Sequence, residues 1–259
     1  MKHVLRTENL NFTYYNSPVL KNINIAINKG EISFILGANG AGKSTLIKLL
    51  CGILSPDNGD IFLEDENMRD ISRSEIAKNI AYVSQDSTFG FPFTVKEVVL
   101  LGRSPYIGKF GFERDQDLDI ADKAMELVGI SHLSGRSINK ISGGERQLVS
   151  VARAIAQQPD IMILDEPGTF LDLRHKSMIY SIIDKLCSES HITVIVATHD
   201  VGSVINSPGS AILLKHGQVM HAGKSSEVLT EQNLAEIYET QVKIYKHNAV
   251  MLITTKPLN

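Results

Sequence analysis

The chain opens with short runs in which apolar and polar positions alternate, VLRTENLNFTYY and then VLKNINIAINKGEISFIL, with Asn, Ser, Pro and Gly at the breaks. Because successive side chains of a strand point to opposite faces, period-two alternation bounded by turn residues predicts an antiparallel opening sheet. The period then changes. ISFILG runs into a glycine-rich loop and on into GKSTLIKLLCGIL, where Leu46, Ile47, Leu49, Leu50, Ile53 and Leu54 form an apolar stripe at helical spacing. The order is strand, loop, helix.

Further on, DIMILDEP and ITVIVATHD are continuous apolar runs that end in acidic or histidine positions, as expected of parallel strands covered on both faces. Between Gln85 and Ser142 the texture turns helical, in FTVKEVVLLGRSPY and ERDQDLDIADKAMELVGI, and suggests an inserted helical segment. The last fifty residues predict a hairpin (AILLKHGQVMHAG), a helix capped at Thr230 and a terminal strand pair. Tandem repeats and low-complexity linkers are not seen.

Composition narrows this picture only a little. A length of 259 residues suffices for one large or two closely packed domains. A net charge of -3 leaves no basic footprint and argues against nucleic acid as a partner. Cys51 and Cys187 lack the spacing of a zinc or redox motif and read as buried structural thiols in a reducing compartment. The opening MKHVLRTENLNF lacks the apolar run expected of a signal peptide, and no window reaches the roughly twenty apolar residues that span a bilayer. A cytoplasmic protein is expected, one that serves a membrane only through a partner.

Gly37 to Thr45, GANGAGKST, fits G-x-x-x-x-G-K-[ST] between a predicted strand and a predicted helix. In such a loop Gly37, Asn39, Gly40, Ala41 and Gly42 turn backbone N–H groups toward phosphate oxygens, and the helix that opens at Lys43, Ser44 and Thr45 adds its partial positive charge. Lys43 would reach the β and γ phosphates and the Ser44 hydroxyl would ligate Mg²⁺. A site of this kind needs an acid at a strand end. Asp165 of IMILDEP would hold the metal through water, and Glu166 beside it would polarise the attacking water. On their own, two adjacent acids would read as a solvated turn or a helix cap.

ISGGERQ, from Ile141, looks like a second phosphate loop about a hundred residues later. A P-loop, a middle Gln, a Ser-Gly-Gly helix opening, an Asp-Glu strand end and a strand-end His, in this order, resemble the nucleotide-binding subunit of ATP-binding-cassette (ABC) transporters over nearly the whole chain. The resemblance implies an α/β fold: a P-loop NTPase core with a mainly parallel sheet, an N-terminal antiparallel β-subdomain and a helical insertion. It implies one ABC ATPase domain over 1–259, its helical subdomain at about 86–158. It also implies ATP and Mg²⁺ as ligands and a head-to-tail homodimer in which Ser142, Gly143, Gly144 and Glu145 of one copy close over the γ-phosphate held by the other. Gln is commoner at the place of Glu145. By the same resemblance Tyr14 matches the aromatic that stacks on adenine, with Tyr15 the competing choice. Gln85 matches the Gln that contacts magnesium and the water, His199 the His on the γ-phosphate, and Asp172 the loop that couples the two sites. Gly168 departs from the Thr usual after Asp-Glu-Pro, which adds backbone freedom to that turn.

VVLLGRSPYIGKFG and LDLRHK are similar to importer ATPases for metal chelates: ferric siderophores, haem and cobalamin. That implies transmembrane permease subunits, a substrate-binding protein acting indirectly, and a peripheral place on the cytoplasmic face of the membrane. The competing class is an ABC ATPase working away from membranes, such as the iron-sulfur assembly ATPases. Gly102, Arg103, Pro105 and Tyr106 read as a helix end that accepts a coupling helix or as a rigid surface turn. Phe89, Phe91 and Phe93 read as lining a partner groove or as buried. His216 and His221 alone make a poor metal site.

Overall fold

A computed structural model describes residues 3–86, 90–107, 111–248 and 250–256. Its strands are β1 (His3–Tyr14), β2 (Ser17–Asn28), β3 (Ile32–Leu36), β4 (Asn58–Leu63), β5 (Glu66–Asn67), β6 (Ile80–Val83), β7 (Ile161–Asp165), β8 (Thr193–Thr198), β9 (Ser210–Lys215), β10 (Gln218–Lys224), β11 (Gln241–His247) and β12 (Val250–Lys256). Its α-helices are α1 (Lys43–Leu50), α2 (Arg73–Asn79), α3 (Val95–Leu100), α4 (Asp115–Leu127), α5 (Gly143–Ala156), α6 (Leu173–Ser190), α7 (Val201–Val204), α8 (Ser225–Val228) and α9 (Glu231–Tyr238). The chain divides into two compact units, Met1–Ile71 with Ile195–Asn259, and Ser72–Val194.

In the first unit β1 pairs antiparallel with both β2 and β4. The β1–β2 turn is the two residues Tyr15 and Asn16, at φ 44° and 71°, as the tightest hairpins require. Alternation along these strands buries Leu5, Leu10, Ile23, Ile27 and Ile61. β3, buried at every position, runs parallel to β9, and β10 folds back on β9 through His216 and Gly217. The helix after β3 is shorter than its apolar stripe suggested. The N–H of Gly52 (φ 68°) donates to the Leu49 carbonyl and that of Ile53 to Lys48, both at 2.9 Å. This crossed pair ends a helix, so Ile53 and Leu54 lie beyond α1, and Ile53 is 51% exposed. The C-terminal expectations hold: Thr230 caps α9 and β11 pairs with β12.

In the second unit β6 and β7 are parallel, and α3, α4 and α5 pack on one another, with Val95, Val98, Ala121, Met125, Leu148 and Val149 buried. Thr94 opens α3 with a reciprocal cap to Glu97. A 3-10 turn, Leu101–Tyr106, follows. Its Gly102 and Arg103 are buried: a Cβ at Gly102 would strike the Arg153 carbonyl, and Arg103 donates to Asp117 at 2.9 Å and to the Ala156 carbonyl at 2.8 Å. The guanidinium also lies 4.1 Å from the Tyr106 ring centre. These contacts make the turn rigid. Phe91 and Phe93 form a tilted pair and both are exposed, not buried in the helical packing; Phe89 lies outside the described residues. Cys51 and Cys187 are half-buried thiols rather than fully buried ones.

Candidate functional site

Gly37 to Gly42 link the end of β3 to α1. The loop is close-fitted: a Cβ at Gly37 would strike the Leu214 carbonyl, and one at Gly42 would lie 2.8 Å from Leu20 Cδ2. Gly42 also has φ 102°, open in practice only to glycine. Lys43 is 6% exposed, and its Nζ folds back to donate to the Gly37 carbonyl at 2.8 Å and to Ala38 at 3.3 Å. The ammonium therefore hangs over the loop's concave side. Helix α1 has no side-chain cap and no acid in its first turn. Its leading N–H groups and dipole would therefore favour an anion at this end. Ser44 and Thr45 are half-buried in that turn, and Asn39 and Gly40 are exposed at the loop's tip.

Tyr14 ends β1 at 37% exposure, its ring edge-on to Phe12 with centroids 4.7 Å apart, whereas Tyr15 in the turn is 100% exposed. His199 follows β8, exposed, and its carbonyl accepts from the Tyr238 hydroxyl at 3.3 Å. His216 and His221 approach different acids, Glu239 and Glu236, and no group of three or more His, Cys, Asp or Glu side chains is placed to hold a metal among the described residues.

In the second unit Asp165 closes β7 at 3% exposure, with Glu166 at 6%. Glu166 has φ 50°, rare outside glycine. Its turn is held by Thr169, whose N–H donates to the Glu166 carbonyl and whose hydroxyl donates to Oε2, each at 3.1 Å. A Cβ at Gly168 would meet Lys176 Cγ at 3.3 Å, a close contact that needs the lysine stem to yield slightly. Gln85 is exposed after β6, beside a Ser84 hydroxyl that donates to the Asp86 carbonyl.

The Ser142 loop opens α5 with a full capping box. The Ser142 N–H and hydroxyl both donate to Glu145 Oε2 at 2.7 Å, and the Glu145 N–H returns to Ser142 Oγ at 3.2 Å. The Ser142 hydroxyl, then its N–H, hold the Glu145 carboxyl below its usual range. The sequence did not reveal what lies alongside. Asp172 caps α6, accepting the His175 N–H at 2.8 Å, and His175 Nδ1 lies 2.9 Å from both Asp172 oxygens. The His175 N–H, then the ring, keep the Asp172 carboxyl low. An ionised carboxylate only accepts, so Nδ1 carries the proton. The ring lies against Gly144: a Cβ there would be 2.6 Å from His175 Cγ. Ser142, Gly144, Glu145 and Asp172 are thus brought together through His175, which the sequence offered only within LDLRHK, three places after Asp172.

Residues 20–169 match the family model described as ABC transporter. The iron(3+)-hydroxamate import ATP-binding protein FhuC of Bacillus subtilis is 34% identical over 93% of this chain and 89% of its own length. A chain from an inward-facing structure described as of metal-chelate type ABC transporter superposes with a TM-score of 0.86 and 31% identity, over 100% of this chain and 98% of that one. The dimeric post-hydrolysis cassette MJ0796, bound to ADP and Pi, gives 0.75 and 28%, over 85% and 98%. With likeness of sequence and fold running nearly end to end, the chain belongs to the ABC transporter family as one of its ATP-binding, ATP-hydrolysing cassettes.

Proposed function

We propose that this cassette energises import of a metal chelate through a separate membrane permease, from the cytoplasmic face and with a substrate-binding protein upstream. One observation carries the reading: likeness to a hydroxamate importer's ATP-binding protein and to a metal-chelate type transporter extends over at least nine-tenths of the chain. The cargo then touches partners, and this chain supplies the ATP step. No helix among the described residues is long and apolar enough to cross a membrane, so docking would place it there.

The Lys43 ammonium and the leading N–H groups of α1 would hold the phosphates, and Tyr14, braced by Phe12, would stack on adenine. The Asp165 carboxylate, the Ser44 hydroxyl and the Gln85 amide oxygen are each hard oxygen donors of the kind Mg²⁺ takes, and these are the residues that would hold it. When bound, the ion would neutralise charge on the phosphate oxygens. Glu166 would take the proton of the attacking water, and His199 would contact the γ-phosphate. Ser142, Gly143 and Gly144 of a second, head-to-tail copy would close over the same phosphate, with Asp172 at the contact between sites. Closure assembles these groups where charge develops, and loss of the γ-phosphate releases it.

Affinity isolation of the tagged chain from native membranes in mild detergent tests the transport role. A many-helix protein recovered in equal amount supports it, and metal chelates can then be tried for uptake by that complex. Recovery only with soluble assembly proteins would move the ATPase away from the membrane and overturn it.

A further inference from the structure

His175 belongs to none of the groups assigned above, yet it stands between two loops that do. Its backbone N–H and its ring Nδ1 both donate to Asp172, at 2.8 and 2.9 Å. The same ring lies so close to Gly144 that an added Cβ would meet Cγ, Nδ1 and Cδ2 at 2.6, 2.8 and 2.9 Å. It is 21% exposed where Asp172 is 65% exposed, so the ring is the packed member of the pair. We propose that His175 is a positioning residue that ties the Asp172 loop to the Ser142–Gly144 loop, so that both present one fixed surface to ATP held by a second copy.

Gly143 and Gly144 form the first turn of α5, and two adjacent glycines leave that turn little intrinsic stiffness. The capping box fixes its ends, at Ser142 and Glu145, while Gly144 bears on a ring that is itself held by Asp172. A shift at Asp172 therefore moves the ring, and the ring moves the Gly144 backbone. With the His175 ring in place, a side chain at position 144 would force that ring to move, whatever anion approaches. The inference rests on the reading of Ser142–Gly144 as a γ-phosphate loop.

The test uses the full-length chain with Mg-ATP. His175→Ala should bind Mg-ATP like wild type, because the P-loop is intact, while kcat falls about ten- to a hundredfold, the cost of small misplacement. In a Glu166→Gln background it should weaken ATP-driven pairing of copies. His175→Asn, whose amide nitrogen can donate to Asp172 as Nδ1 does, should recover most of kcat; His175→Leu, which keeps bulk without the donor, should not. Gly144→Ala should be impaired alone but add little to His175→Ala, the ring being gone. Wild-type kcat in His175→Ala, or equal loss in the Ala and Asn variants with native melting, would overturn the proposal. Ser142→Arg separates the two ideas. If it hydrolyses ATP normally, the γ-phosphate reading fails; if it is inactive while His175→Ala is normal, only the positioning role fails.

Discussion

Glu166 is held in a left-handed backbone conformation that costs a non-glycine residue about 1–3 kcal/mol. The Thr169 hydroxyl and N–H keep it there, so the strain is spent on aiming one carboxylate. Replacing Glu166 by Gln should slow turnover by roughly two to four orders of magnitude, the range for a positioned acid or base, while ATP still binds; normal steady-state hydrolysis would remove Glu166 from its role. Glu166→Gly should be inactive as well yet melt no lower than wild type, since glycine accepts that φ. Lys43→Ala should instead lose nucleotide affinity, measured with a fluorescent ATP analogue. The close-fitted loop between β3 and α1 was legible in sequence because its glycines lie in one contiguous run. His175 was not, because its role depends on Gly144, distant in sequence and adjacent in space. Likewise Tyr14 and Tyr15 look alike in the chain; only the hairpin turn separates a braced ring from an exposed one.

Elements were legible where periodicity is long and pure. β7 and β8, buried at every position, follow from their apolar runs, whereas the β1–β2 pair follows its alternation only in part, because register shifts such as that between Thr7 and Leu10 interrupt it. The stripe from Leu46 to Leu54 misled because the backbone, not the side chains, ends α1 at Cys51. Leu46→Ala, fully buried, should cost about 2–5 kcal/mol, whereas exposed Ile53→Ser should change stability by no more than about 0.5 kcal/mol; denaturant melts report both. Arg103 was equally unreadable as a core residue, since arginine is rarely buried unless paired. Its partner Asp117 has its carboxyl held low, first by the Arg103 hydrogen bond and then by the Arg114 N–H. A depressed folded pKa means the pair stabilises the fold above the ordinary Asp value of 3.8, and that this contribution is lost as pH falls below it. Asp117→Ala should cost about 3–5 kcal/mol by stranding the guanidinium, and flatten that acid limb of the melting curve.

At the scale of the molecule, the expected outcome of adding ATP to Glu166→Gln is a stable pair of copies, seen by light scattering, that separates when Mg-ATP is removed. The same preparation made with Lys43→Ala should stay monomeric. The mixed α/β architecture could be anticipated from the order of motifs, whereas the cargo could not, because specificity would reside in other chains. The P-loop, moreover, does not stand alone. Its Ala41 carbonyl accepts the Gly217 N–H at 3.0 Å, Gly217 in turn accepts from Lys21, and Gly37 fits against the Leu214 carbonyl. The loop near the start of the chain is therefore shaped by a hairpin made near its end. During synthesis a nascent chain will carry the complete GANGAGKST motif long before it can grip a phosphate. If this loop holds the phosphates as proposed, nucleotide should stabilise only chains extended past Gly217, and ATP binding would then report that the first unit has closed.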